Sequence, residues 1–109
     1  MALSFPETEE LPHFEKTSYR IRNKIFATIS KEDRKACLKF SVIDQSAFCA
    51  FDKTVIYPVP NKWGNQGWTF IELNKIEKEM LLDALTTAFC SVAPKKLAQP
   101  YLDRQKNSL

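Results

Sequence analysis

The chain is 109 residues long, 44% hydrophobic and 27% charged, with a net charge of +3. That is enough for one domain around a single core, and the composition excludes a disordered chain. No apolar run reaches the ~20 residues that span a bilayer, and the opening Met1-Ala2-Leu3-Ser4-Phe5-Pro6 lacks the basic lead and the length of a secretory signal, so a cytoplasmic protein off the membrane is expected.

In chain order, a short strand is predicted near residues 10–14. Ser18-Tyr19-Arg20-Ile21-Arg22 alternates polar and apolar residues, the two-residue period of a strand. Asn23-Lys24 turns the chain, and Lys24-Ile25-Phe26-Ala27-Thr28-Ile29-Ser30 alternates again. Lys31-Glu32-Asp33-Arg34 is a polar hairpin loop, and Lys35-Ala36-Cys37-Leu38-Lys39-Phe40 completes a three-stranded meander. Ser41 then caps a helix in which Asp44 approximates a capping box and Ile43, Ala47, Phe48 and Phe51 make the apolar stripe. Residues 53–58 form a short strand stopped by Pro58, residues 60–67 a turn-rich loop, and residues 68–73 a sixth strand. Asn74 caps the last helix with Glu77 at the box position. Its stripe is Ile76, Met80, Leu81, Ala84, Leu85, Ala88, Phe89 and Val92, and Pro94 ends it. Residues 99–109 are polar and aperiodic, so the expected layout is one domain over 1–98 and a flexible tail.

Strand alternation sorts side chains by face. Tyr19, Ile21, Ile25, Ala27, Ile29, Ala36, Leu38 and Phe40 fall on one side, assigned to the core. Ser18, Arg20, Arg22, Lys24, Phe26, Thr28, Lys35, Cys37 and Lys39 fall on the other, a basic face with one aromatic ring. Each helix has one apolar stripe. The fold class is therefore α+β, an antiparallel sheet with two helices on one face, its opposite face left to water or a partner.

The chemistry-bearing residues are few. Cys37, Cys49 and Cys90 are odd in number and contain no CxxC pair, which fits small buried residues in a reducing compartment rather than a disulfide framework or a zinc site. His13 is the single histidine, so every Ser-His or Cys-His pairing must use it. Gly64 and Gly67 are the only glycines, and no phosphate-cradling glycine motif exists. Neither an enzyme, a cofactor nor a metal is expected. Glu7, Glu9 and Glu10 read as a solvated acidic segment.

Charge is unevenly placed. Residues 1–15 hold Glu7, Glu9, Glu10 and Glu15 with no Lys or Arg. Residues 16–39 hold eight cations against Glu32 and Asp33, and residues 93–109 hold Lys95, Lys96, Arg104 and Lys106 against Asp103. Such asymmetry hints at a polyanion, although charge alone favours a solvated surface.

Several stretches stand together over residues 2–98. They are Ala2-Leu3-Ser4-Phe5-Pro6, His13-Phe14 through Ser18-Tyr19-Arg20-Ile21-Arg22, Lys24-Ile25-Phe26-Ala27-Thr28, Leu38-Lys39, Tyr57-Pro58-Val59-Pro60, Trp63-Gly64-Asn65-Gln66-Gly67-Trp68-Thr69 and Val92-Ala93-Pro94-Lys95-Lys96-Leu97. On these residues the chain resembles the MmcQ/YjbR-like family. The strand at residues 24–28 and the loop at 63–69 are the most specific pieces. The resemblance implies an α+β fold similar to that of frataxin and its bacterial homologue CyaY, with five or six antiparallel strands. It also implies a mostly bacterial distribution and DNA binding by a double-wing arrangement of strands. Family members carry a full amino-terminal helix. This chain begins near where that helix ends, so the helix is expected to be short or missing, leaving part of the sheet's core face less covered, or covered by the tail or by a second copy in a homodimer.

Under that reading Arg20, Arg22, Lys24, Lys35 and Lys39 meet phosphates of DNA, with Phe26 and Trp68 stacking on bases. Trp63 forms a wing tip, and Lys62, Lys95 and Lys96 add backbone contacts. Each also has a purely structural explanation. Phe26 and Trp68 pack on a loop or helix, glycines make the tight loop that Trp63 and Trp68 flank, and Lys95-Lys96 suits the negative end of a helix. The alternative function is a protein- or small-ligand-binding adaptor anchored on Tyr57, Trp63 and Trp68, with no nucleic-acid role.

Overall fold

The computed structural model describes residues 5–13 and 16–107. Phe14, at the end of the first predicted strand, and the last two residues of the predicted tail lie outside the described residues. Four strands follow one another as a meander, β1 (Thr8–His13), β2 (Lys16–Ile21), β3 (Lys24–Ser30) and β4 (Lys35–Lys39). Next come α1 (Val42–Phe51), β5 (Ile56–Pro58), the single-turn α2 (Lys62–Asn65) and β6 (Trp68–Glu72). Helices α3 (Lys78–Val92) and α4 (Lys95–Asn107) complete the chain. All strand pairs are antiparallel, in the order β1-β2-β3-β4-β6-β5. No helix precedes β1 among the described residues.

The β2–β3 turn is made by Arg22 and Asn23, both at positive φ (49° and 67°), the backbone of a two-residue primed hairpin turn. Arg22 is therefore a hairpin tip and does not extend the strand face. The largest departure from simple alternation lies beside it. Tyr19 opposes Ala27 but Arg20 opposes Ile25, so Phe26 is the extra residue of a β-bulge. The bulge shifts the strand's phase. Phe26 and Ala27 both enter the core, and Ile25 moves to the open face, the reverse of the alternation-based assignment of Ile25 and Phe26.

Phe26 is completely buried and meets Phe89 of α3 edge-on at 5.6 Å. Phe5 stacks on Phe89 at 4.8 Å, and Tyr101 of α4 closes the cluster at 5.4 Å from Phe5 and 5.6 Å from Phe89. This ring cluster explains why residues 99–107 are helical rather than a frayed tail. α4 has little apolar surface, but Leu97, Ala98 and Tyr101 give it something to hold.

α1 starts as expected, with the Ser41 hydroxyl accepting from the Asp44 amide at 3.1 Å and donating to its carboxylate at 2.9 Å. Its inward face differs from the predicted stripe. Gln45, Phe48 and Cys49 turn inward, Phe48 stacking on Phe40 at 4.9 Å. Ile43, Ala47 and Phe51 face solvent. α3 starts at Lys78 after a turn closed on the Glu72 carbonyl, and Glu77 stands at its N-cap without a side-chain hydrogen bond, so Asn74 does not cap it. Pro94 follows the last turn, as expected.

Candidate functional site

α3 packs on β3 and β4 from the side of Phe26, Ala27 and Leu38, and α4 packs on α3. The opposite sheet face therefore carries no long helix. Along it, in register, run Thr28 opposite Cys37, Cys37 opposite Phe70, Lys39 opposite Trp68, and Phe70 opposite Tyr57. A trough of about 460 Å³ opens there, lined by Lys16, Ile25, Thr28, Cys37, Val59, Trp63, Trp68 and Phe70. A smaller hollow of about 110 Å³ continues it past Lys35, Ser30 and Asp33.

The trough wall depends on the loop between β5 and β6. Asn61 caps α2 by accepting from the Trp63 amide at 2.8 Å. The Gln45 side-chain amide, buried behind the loop, donates to the carbonyls of Gly64 (2.8 Å) and Trp68 (3.2 Å) and to the Thr69 hydroxyl (3.2 Å). Three acceptors that burial strips of water thus share one donor group. Gly67 has φ +104°, and its carbonyl accepts from the Phe40 amide at 3.0 Å. Trp63 ends half exposed, with the Lys62 ammonium 5.8 Å from its ring centroid.

The cations on this face are mostly engaged within the chain. The Lys35 ammonium lies 5.5 Å from the Phe70 ring centroid, 5.7 Å from that of Tyr57 and 3.5 Å from the Glu72 carboxylate. Glu72 also accepts from the Tyr57 hydroxyl, which with Lys35 holds its carboxyl below the ordinary glutamate range. Lys39 donates to the carbonyls of Gln66 and Phe40. Arg20 reaches back to the buried Ser18 hydroxyl at 3.0 Å, and that hydroxyl donates to the Leu11 carbonyl at 2.9 Å.

A model of the YjbR family matches residues 3–91. The chain belongs to the YjbR family. Its fold is similar to that in the crystal structure of Deinococcus radiodurans protein DR2400, which carries the domain DUF419. The TM-score is 0.73 at 16% identity, over 91% of this chain and 80% of that one. No curated protein matches the chain.

Within this YjbR fold the predicted site residues separate. Arg20, Lys35, Lys39 and Trp68 share the open face, and Lys62 and Trp63 stand at its rim. Phe26 does not belong there, because the bulge buries it. Arg22 leaves the face at the hairpin tip, where its guanidinium pairs with Glu7 at 3.3 Å. Lys24 opposes the buried Ile21, which puts it on the helix-bearing side of the sheet edge. Lys95 and Lys96 begin α4 instead of ending α3, so α4 carries them away from the open face. Lys16, Ile25, Val59 and Phe70 line the trough without having been singled out. Lys16 was legible as two residues ahead of Ser18 in the same phase, and Phe70 as two residues after Trp68.

Burial pushes the Cys37 thiol on the trough floor up to about 11. The thiol is therefore protonated and a poor nucleophile at neutral pH. Folded Cys37 keeps a proton that the unfolded chain releases from 9.0 upward, so stability is full below that pH and falls as pH climbs towards about 11. Burial shifts Cys49 and Cys90 in the same direction. Urea midpoints measured across this range are expected to fall, and Cys37→Ala to flatten the decline. Among the described residues no group of three or more His, Cys, Asp or Glu is placed to hold a metal ion, and no helix is long and apolar enough to cross a membrane.

Proposed function

We propose that this domain binds nucleic acid through the open sheet face, acts by binding without chemistry, and takes DNA with unpaired bases in the trough. The observation that carries this reading is the aromatic trough itself. Trp63, Trp68 and Phe70 line a concave surface that no long helix covers, with Lys16 in the same lining and Lys62 beside Trp63. Flat rings among cations stack on bases, each worth about 1–3 kcal/mol, and unpaired bases expose the faces that stacking needs. The engaged state of Lys35, Lys39 and Arg22 favours stacking over phosphate contact as the main source of affinity.

Titration of tryptophan fluorescence with single-stranded and duplex oligonucleotides at several salt concentrations tests this. Lys16 and Lys62, and Arg20 through the terminal guanidinium nitrogens that its Nε bond to Ser18 leaves over, are the cations at the face and rim that can turn to phosphates. Three such contacts give a log–log salt slope of about −2 for a single strand. Trp68→Ala is expected to weaken binding by roughly 1–3 kcal/mol with the slope unchanged. Absence of quenching at low ionic strength overturns the reading. The trough's concavity and largely apolar lining also favour a second reading, a small flat apolar ligand. Binding of such a ligand independent of salt, with no response to oligonucleotides, selects it.

A further inference from the structure

The open face is built in rows that cross the strands. Ser18, Thr28, Cys37, Phe70 and Tyr57 stand opposite one another in turn from β2 to β5. Thr28 and Cys37 are short side chains, so the floor is low between Lys16 and Phe70, and these four residues line both the trough and the smaller hollow. The two depressions are therefore one groove with unlike ends. One end offers the rings of Trp63 and Trp68. The other offers Ser30, Asp33 and Lys35. Ser30, Lys35 and Glu72 form the next row, two residues and about 7 Å along the strands. Glu72 is already taken by the Tyr57 hydroxyl and the Lys35 ammonium. Asp33 is not. It is exposed, accepts at Oδ2 from the Ser30 hydroxyl at 3.2 Å, and forms no ion pair among the described residues. Its second oxygen is left to accept, and the Lys35 ammonium keeps donors beyond the one turned to Glu72.

We propose that this hollow takes the Watson–Crick edge of an unpaired guanine, with Asp33 accepting from the ring N–H and the amino group and Lys35 donating to the carbonyl oxygen. The proposal rests on the reading of the trough as a seat for unpaired bases, and it gives that seat a base preference. A base lying over Thr28 and Cys37 against Phe70 brings its edge over the second row, where Asp33 and Lys35 line the hollow. Unpaired bases are read on this edge by side chains. Guanine alone among the four DNA bases sets two donors side by side there, next to an acceptor. A carboxylate beside an ammonium matches that order, and the two donors meet the carboxylate as a bidentate pair. Adenine and cytosine set an acceptor beside their amino group. Thymine flanks its one N–H with two carbonyls. Each of these three turns a lone pair towards Asp33.

Fluorescence anisotropy of the full chain with labelled oligothymidine strands tests this, each strand carrying at its centre thymine, guanine, hypoxanthine, adenine or cytosine. The guanine strand is expected to bind about 5–150-fold more tightly than the all-thymine strand, the discrimination of one bidentate contact. Hypoxanthine is guanine without the amino group, and it is expected to lose most of that ratio. Asp33→Asn is expected to collapse the guanine-to-thymine ratio. Glu32→Gln removes the same charge from the neighbouring exposed position, outside the hollow, and is expected to keep the ratio. The hypoxanthine strand needs no altered protein, so the proposal stays testable if Asp33→Asn fails to fold. Displacement of the guanine strand by dGMP at the strand's own concentration would assign the seat to a free guanine nucleotide, and a much weaker effect of dGMP to a strand. Both sources carry the same base recognition. Equal binding of all five strands overturns the proposal and leaves the trough as a seat without base preference. Hypoxanthine equal to guanine, or a ratio that survives Asp33→Asn, overturns it as well. Failure of every strand to bind overturns the reading of the trough together with it.

Discussion

Phe26→Ala is expected to lower the unfolding free energy by about 3–5 kcal/mol, the usual cost of truncating a buried phenylalanine with incomplete collapse of the cavity. The ring is fully buried and touches Phe5 and Phe89, which it holds in edge-on contacts of 6.1 and 5.6 Å. In a domain of this length that loss corresponds to a fall in melting temperature of at least about 12 °C. Ile25→Ala, one residue earlier, lies on the trough and is expected to cost no more than about 1 kcal/mol while altering ligand binding. The pair tests the bulge directly. If β3 followed plain alternation, Phe26 would be a surface residue and the two costs would exchange places. Thermal melts of both variants decide between the registers.

Gly67→Ala is expected to cost at least about 3 kcal/mol and to disorganise the trough. Its φ of +104° is a conformation that residues with a Cβ rarely adopt, and a Cβ there would collide with the carbonyl oxygen of Phe40. Relief requires moving Phe40, which stacks on Phe48, or moving the Gly67 carbonyl, which accepts from the Phe40 amide and the Thr69 hydroxyl, both at 3.0 Å. Either movement shifts Trp68. A lowered denaturant midpoint together with a change in tryptophan emission in the folded state is the expected signature. A variant with wild-type stability and emission would show that the loop tolerates a different backbone, and the trough would lose its rigid wall.

The strands were legible because their alternation is local, and the Ser41 cap because it spans only three residues. The open sheet face followed from counting apolar faces. What could not be read was set by contacts between distant segments. The identity of the trough residues turned on one bulged residue, which leaves the composition of β3 unchanged while exchanging the faces of Ile25 and Phe26. α1 holds enough apolar residues to bury either side. Hydrogen bonds from Gln45 to a loop some twenty residues away chose the side, leaving Ile43 and Phe51 outside. α4 lacks an apolar stripe of its own and is helical where Tyr101 reaches Phe5 and Phe89.

Charge shows the same division. The excess of Lys and Arg over residues 16–39 is plain in the amino-acid order, but not its availability. Arg22 is paired with Glu7, Lys35 with Glu72, and Lys39 with backbone carbonyls, all brought together by the hairpin, the β4–β6 pairing and the Gln66–Gly67 turn. Local order dictates periodicity, caps and net charge because these depend on neighbours within one turn or one pleat. Which face a ring occupies, and whether a cation is free to meet a ligand, depends on partners far along the chain, and those meet only once the sheet has closed its register.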